Sequence, residues 1–427
     1  MKKTRTKLSN GLTVVIIEVP GSKSSVVSFL AKAGTRYNPK GKEGLAHFLE
    51  HIILKKTKDY PSELKLAEAL ETKGAFKNAW TNRENVNIMI QSSAKKLPTS
   101  LDILSGMIFH PLIDKVSVNA ERGVIEKEQI KINSNPETKV RDLWYKIFFK
   151  GSPLEFSNLG TDTSINNIDK DSLLEFWGKY YKTQSSLLFI SGRVDTDKTY
   201  NLAEKTFGYQ ILAKNTRAPL FEYEVNKHIV IERRKDKQTS MQLSFRLNKD
   251  LVDDLYPLRL LRAIMVAGWS SRISQTLRKE GLIYNWEGRV NRFLDTGAFA
   301  IKLSTAKDKF RRMLNILNEE LLKIRIHKVS QKELLRVKGF LEGFLLSRVE
   351  TSVDFHNWFA EDELLWPESV DNFEKYVRKI KNVTPEKILD IAKKYIRDDN
   401  WQIAIVGDIE ESLEKEFESS PAISFKT

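Results

Sequence analysis

No cysteine occurs among the 427 residues, which excludes a disulfide framework, a thiolate metal ligand and a cysteine nucleophile. Any metal must therefore be held by His, Asp or Glu, and His is itself scarce, with six in the chain. No apolar run approaches the roughly 20 residues that span a bilayer. The basic opening 1–7 leads into an apolar run at 12–17 that is short, meets Glu18 and lacks a small-residue cleavage pattern. It reads as a buried strand and not as a secretory signal, and the expectation is a soluble, cytoplasmic protein with no membrane span. A concentrated basic block is also missing. The formal net charge is +14, but Lys and Arg are interspersed with 56 acids, and no zinc-knuckle or RNA-recognition signature accompanies them. Charge spread in this way describes solvated faces and argues against a specific nucleic-acid partner, although it suits acidic segments of a substrate.

With 41% apolar residues the chain can bury substantial cores, and its length suits about two to three domains. An internal repeat sets the number at two. Sliding the sequence by 215 residues lays 168–192 (IDKDSLLEFWGKYYKTQSSLLFISG) over 383–407 (VTPEKILDIAKKYIRDDNWQIAIVG) without a gap. Leu173 meets Ile388, Phe176 meets Ile391, Tyr180 meets Tyr395 and Gly192 meets Gly407. Each copy reads as an amphipathic helix followed by a buried strand that ends at glycine. The same offset places 14–16 over 229–231, and polar residues with Pro219 interrupt the pattern near 213–220. Two homologous domains are expected, 1–213 and 220–427.

Within the first copy, strands are expected at 13–17 and 25–32, helices at 43–54 and 62–73, a hairpin 75–92 turning around 82–85, and a closing strand at 186–191. Strands and helices occur in clusters, so the fold class is α+β, two α/β sandwich domains, and not a regular doubly wound sheet. The apolar and aromatic positions of 341–366 read as the core stripe of packed helices.

The strongest chemical signal is GLAHFLEHIIL at 44–54. On a helix, His47 and His51 are one turn apart and project from one face, so their imidazoles can converge on one ion. Glu50 sits three residues after His47, where it can reach a water held at that ion. This H-x-x-E-H order reverses the H-E-x-x-H order of the better-known zinc peptidases. The repeat supplies an internal control: the offset of 215 puts Arg262, Met265 and Val266 opposite His47, Glu50 and His51. The second copy keeps the helix without the ligands, so these polar residues are not demanded by the fold. A catalytic zinc keeps three protein ligands and one open position. In the helical segment 118–132, Glu121 and Glu128 lie seven residues apart on nearly one face, and either can approach the metal. His110, His228, His327 and His356 have no metal-like spacing and read as surface or core residues.

These segments together resemble the pitrilysin, or M16, family of zinc metallopeptidases, which includes insulin-degrading enzyme and the mitochondrial processing peptidase. The resemblance runs from LSNGLTVVI through AGTRYNPKGKEGLAHFLEHIILKKT, the NAWT of 78–81 and ERGVIEKE of 121–128, to SRISQTLRKEGLIYNW at 271–286 in the second domain. It implies His47, His51 and Glu128 as ligands of one Zn2+ per chain, Glu50 as general base and Glu121 as a supporting carboxylate behind them. It also implies that Asn78, Ala79 and Thr81 bind substrate, since their strand resembles the family's edge strand that pairs with the main chain of an extended peptide. Arg278 and Tyr284 match an Arg and a Tyr that assist from the opposite domain, with a spacing of six where the family usually has seven.

The resulting expectation is an endopeptidase for extended or unfolded peptides. The resemblance implies a two-domain, half-length type that closes a clam-shell chamber with a second chain, either as a homodimer or as a heterodimer with a related M16-like chain. Two other classes compete. A non-catalytic scaffold or regulatory subunit of the same family would have lost a ligand or Glu50, and a basic nucleic-acid-binding protein would carry a focused positive groove.

Overall fold

In a computed structural model of the chain, described for residues 2–182, 184–213, 217–224 and 228–419, helices and strands form two compact units, each around its own mixed sheet. The first unit holds 1–129, 152–219 and 345–370, and the second holds 130–151, 220–344 and 371–427. Each unit thus includes a helical stretch from the other half of the sequence. Residues 1, 183, 214–216, 225–227 and 420–427 lie outside the described set, which includes part of the expected linker at 213–220.

Six strands build the first sheet: β1 (Lys2–Lys7), β2 (Thr13–Glu18), β3 (Ser24–Ala31), β4 (Phe76–Thr81), β5 (Val86–Ser93) and β6 (Leu187–Gly192), in the spatial order β1-β2-β6-β3-β5-β4. β2 and β6 run parallel, with Val14 opposite Leu188, and the remaining pairs are antiparallel. One face carries Val14, Ile16, Val27, Phe29, Ile88, Ile90, Leu188 and Ile190 into a core shared with helices Leu45–Ile53, Leu97–Phe109 and Lys170–Tyr180. Helix Ser352–Leu365 covers β3 and β6 on the other face. Its Ser352 hydroxyl lies 2.7 Å from that of Ser24, and its Ser352 carbonyl accepts from Ser191 Oγ at 2.7 Å. Strands covered on both faces read as continuous apolar runs, which is why Val14 to Ile17 are buried without alternation. β1 is the opposite case: its polar sequence KKTRTK lies exposed at the sheet margin and gives no apolar signal.

The second sheet has the order β7-β11-β8-β10-β9, from β7 (His228–Arg233), β8 (Thr239–Leu247), β9 (Asn285–Arg292), β10 (Gly297–Thr305) and β11 (Gln402–Gly407). Helices Leu255–Val266, Phe310–Ile326 and Pro385–Tyr395 contribute to its core, and helix Pro136–Phe148 packs on β8 and β11, where Trp144 Nε1 donates to Ser244 Oγ at 2.6 Å. The duplication is visible in the backbone. An offset of 215 carries β2 onto β7, β6 onto β11 and helix Lys170–Tyr180 onto Pro385–Tyr395, with identical bounds. Gly192 and Gly407 both adopt positive φ, 140° and 136°, which favours glycine at each strand end.

The stripe at 341–366 differs from expectation. It is split between helices Gln331–Leu346 and Ser352–Leu365; Leu341, Phe355 and Phe359 are buried, while Phe344 and Leu346 are exposed. Period alone does not reveal which turns of a helix extend beyond its packing partner.

Candidate metal centre

The H-x-x-E-H segment folds as helix Leu45–Ile53, buried at every position except half-exposed His51. Its start is set by Gly44, whose φ of 92° places it in the left-handed region, and by Asn38, whose Oδ1 accepts from Ala46 N at 2.9 Å. Leu45, Phe48, Leu49, Ile52 and Ile53 join the first unit's core, which leaves the polar side chains on the remaining face. Helix Lys115–Ser134 brings up the two carboxylates.

His47 Nε2 and His51 Nε2 are 3.2 Å apart, and both lie 3.8 Å from Glu128 Oε2. One ligand atom from each of the three residues falls within 4.8 Å of the others. Two Zn–N bonds of about 2.0–2.1 Å meeting near the tetrahedral angle hold their nitrogens about 3.3 Å apart, so the imidazole pair fits that ion. The donor set, two imidazoles and one carboxylate with no thiolate, suits zinc also in kind. Glu121 is buried behind them and accepts from His51 Nδ1 at 2.7 Å, which leaves His51 Nε2 for the metal. On the other side of Glu121, Lys55 Nζ lies 2.6 Å from Oε2. His47 has no such support: its buried Nδ1 meets no acceptor among the described residues.

The electrostatics divide the two imidazoles. Burial, with the neighbouring His51 adding to it and Glu121 opposing, pulls His47 down to about 3, so it is neutral and ready to ligate. Burial also works against charge on His51, but the hydrogen bond to Glu121 and the fields of Glu50, Glu121 and Glu128 outweigh it and raise its pKa. Glu50, pushed above the usual carboxylate range by burial, is opposed in this by Thr81 and His51. Burial likewise acts to raise Glu121, yet His51 and Lys55 hold it below its ordinary value.

Thr81 lies on β4, which among the described residues pairs with β5 alone. Its hydroxyl is turned inward and donates to Glu50 Oε2 at 2.6 Å, while its carbonyl accepts from Asn158 Nδ2 at 2.6 Å. Asn158 is held in turn by the Thr35 hydroxyl at 2.6 Å. Asn78 is exposed and folds its Oδ1 back to Ala79 N at 3.0 Å, and Ala79 is half-buried. Six expected site residues, His47, Glu50, His51, Thr81, Glu121 and Glu128, thus meet in the first unit. Arg278 and Tyr284 belong to the second. There the Arg278 guanidinium sits 4.0 Å from the centroid of the Trp269 ring, and Tyr284 is 60% exposed. The motif positions of the second copy are filled by buried Met265 and Val266 and by half-buried Arg262, with no ligand among them. The inward role of Thr81 and the contacts of Lys55 and Asn158 are additions to the sequence reading. The period of two along β4 puts Lys77, Ala79 and Thr81 on one side, but no spacing identifies Glu50 as the group they face.

Two family models match the chain in succession, insulinase (peptidase family M16) over 13–162 and peptidase M16 inactive domain over 167–341. Among curated relatives, an uncharacterized zinc protease of Rickettsia bellii is 29% identical over 388 residues, 90% of each chain. The beta subunit of the mitochondrial-processing peptidase of Bos taurus is 26% identical over 419 residues, covering 95% of this chain and 84% of that one. A protease from Helicobacter pylori has the same fold, with a TM-score of 0.87 at 20% identity over 95% of this chain and 99% of that one. The structure titled peptidase M16 inactive domain from Pseudomonas fluorescens gives 0.86 at 18% identity over 95% and 98%. Relatives named as zinc proteases support a peptidase, and the inactive-domain match starts at 167 near the end of the first copy and runs through the motif positions of the second. With both matched segments belonging to one family and together spanning most of its length, the chain belongs to peptidase family M16.

Proposed function

We propose that the chain is a zinc-dependent endopeptidase that hydrolyses extended or unfolded peptides, with His47, His51 and Glu128 holding one Zn2+ and Glu50 acting as general base. The observation that carries this reading is the convergence of His47 Nε2, His51 Nε2 and Glu128 Oε2 beside a buried, hydrogen-bonded Glu50. Bound there, zinc would supply Lewis acidity, lowering the pKa of a coordinated water toward neutrality and stabilising negative charge that develops on the peptide carbonyl. The chain's own residues do the rest. Glu50 takes a proton from the attacking water at Oε1, because Oε2 is engaged by Thr81, and returns it to the departing amine. Glu121 keeps His51 turned to the metal through Nδ1. Peptide recognition is assigned to the free edge of β4, where Asn78 and Ala79 would present main chain to an added strand. An edge of this kind takes a chain already extended, so compact folded proteins would be poor substrates.

Arg278 and Tyr284 are assigned to the second domain of an opposing chain, with Tyr284 as hydrogen-bond donor to the carbonyl oxygen. The pairing is with a second copy or with a related M16-like chain. Metal analysis tests the site. Purified wild type should carry about one zinc per chain, and the folded His47→Ala, His51→Ala double variant should carry none. Stoichiometric zinc retained by that double variant would remove the assignment, and a peptide-library digest of the wild type would read the cleavage preference.

A further inference from the structure

We infer that Lys55 is a positioning residue for the metal centre, acting on His51 through Glu121; the inference rests on the zinc reading above. Glu121 is 2% exposed, with one oxygen hydrogen-bonded and the other, which has no hydrogen-bond partner among the described residues, in an ion pair. Oε1 accepts from His51 Nδ1 at 2.7 Å and Oε2 lies 2.6 Å from Lys55 Nζ. A carboxylate taken out of water must be paired or it will not stay charged and fixed, and one imidazole N–H does not compensate for its desolvation. The ammonium of Lys55 completes the pairing. Its other carboxylate neighbour, Glu63 at 3.4 Å, is 65% exposed and competes from the solvent side with a screened, longer contact.

The backbone explains how Lys55 comes to be there. It is four residues past His51, just beyond the end of helix Leu45–Ile53, with Lys55 N donating to Ile52 O at 3.1 Å. This continues the turn far enough to keep Lys55 on the side of Glu121. Nearby, Lys77 Nζ donates to the carbonyl of Leu54 and holds the same helix end. Four groups in a row, Lys55, Glu121, His51 and the metal position, thus connect a half-exposed ammonium to the ion. A histidine ligates from Nε2 only when Nδ1 carries the proton and the ring is fixed, and the carboxylate behind it sets both. Lys55 acts on the metal position through Glu121 and His51. Its effect is to deny Glu121 any other arrangement.

The competing view is that Lys55 merely ties the motif helix to helix Lys115–Ser134, in which case its loss lowers stability and leaves the folded site unchanged. The test uses the full chain, stripped of metal, with zinc affinity read by chelator competition. Lys55→Met is expected to weaken zinc about tenfold or more. Lys55→Arg, which keeps a cation within reach, should recover most of that loss. In the Glu121→Gln background, Lys55→Met should add less than about twofold, because a residue acting through Glu121 has nothing left to act on. Nitrogen-15 spectra of the zinc-free chain provide the second readout: His51 should be the Nδ1–H tautomer in the wild type and a mixture in Lys55→Met. Should Lys55→Met not fold, Lys55→Gln carries the same comparisons. Wild-type zinc affinity with an unchanged His51 tautomer in a folded Lys55→Met would overturn the inference, as would additive losses in the double variant. A wild type that binds no zinc overturns the parent reading instead, and the tautomer comparison still decides the role of Lys55.

Discussion

Under the proposed mechanism Glu50 accepts a proton and then releases it, which calls for one oxygen held in place, and Thr81 holds Oε2. Removing the hydroxyl while keeping the shape isolates this contribution. Thr81→Val should retain zinc and lose about 10–100-fold in kcat/KM, the range set by one hydrogen bond to a charged group. Thr81→Ser should restore most of the activity. Steady-state kinetics alongside metal content checks both, and an unchanged rate in Thr81→Val would mean that Glu50 is positioned by packing alone. The face shared by His47, Glu50 and His51 was legible in the sequence because helical geometry converts their spacing into proximity. Glu121 and Glu128 could be placed on a face but not told apart by spacing, since the difference lies in depth: Glu121 is buried and Glu128 is 37% exposed. The role of Thr81 depends on a contact between residues 31 apart, which no local pattern encodes.

At the scale of elements, the strand that borders the site is held by a helix from the other end of the sequence. The hairpin turn after β4 offers Asn82 and Asn85, whose Nδ2 atoms donate to Glu361 on helix Ser352–Leu365 at 3.3 and 3.0 Å. Five residues earlier on that helix, His356 is buried against the edges of Trp80 and Phe189, and its Nε2 accepts from Asn87 Nδ2 at 3.1 Å. Burial brings His356 down to about 4, with Asn357 opposing. A depressed folded pKa means that below about 6.5 the unfolded chain takes up a proton that the folded chain refuses until about 4. Stability contributed by neutral His356 is therefore full above that window and falls as pH drops through it. Between pH 7 and pH 5 the wild type should lose about 2 kcal/mol that His356→Asn does not lose. Urea titrations at the two pH values measure the difference, and parallel losses in both proteins would show that His356 does not titrate in this way. Most strands and helices of the first unit were legible because their apolar periods are local. β1 was not, because an exposed marginal strand of Lys, Thr and Arg has no apolar face to read. Nor was the packing of helix Ser352–Leu365 on β3 and β6, since an amphipathic helix specifies that it must be covered but not by which sheet.

For the whole molecule, the duplication matters most. Apart from β1, the strands of the first sheet have counterparts in the same spatial order in the second, yet among the described residues one group of candidate ligands is found, and it lies in the first unit. If Arg278 and Tyr284 complete the site of an opposing chain, a symmetric homodimer has two composite sites. Mixing Glu50→Gln chains with Tyr284→Phe chains under conditions of exchange should then restore about a quarter of wild-type activity, because half of the dimers are mixed and each has one intact site. No recovery despite demonstrated mixed dimers would contradict composite sites and favour a pairing with a different chain. No helix among the described residues is long and apolar enough to cross a membrane. The central claim remains that this family member cleaves peptides with zinc and Glu50, and the most direct measurement is paired zinc content and hydrolysis of an extended peptide in wild type and Glu50→Gln. The account predicts about one zinc per chain in both, with hydrolysis lowered about 100-fold or more in the variant; wild-type hydrolysis by zinc-loaded Glu50→Gln, or by a wild type shown to be free of metal, would contradict it.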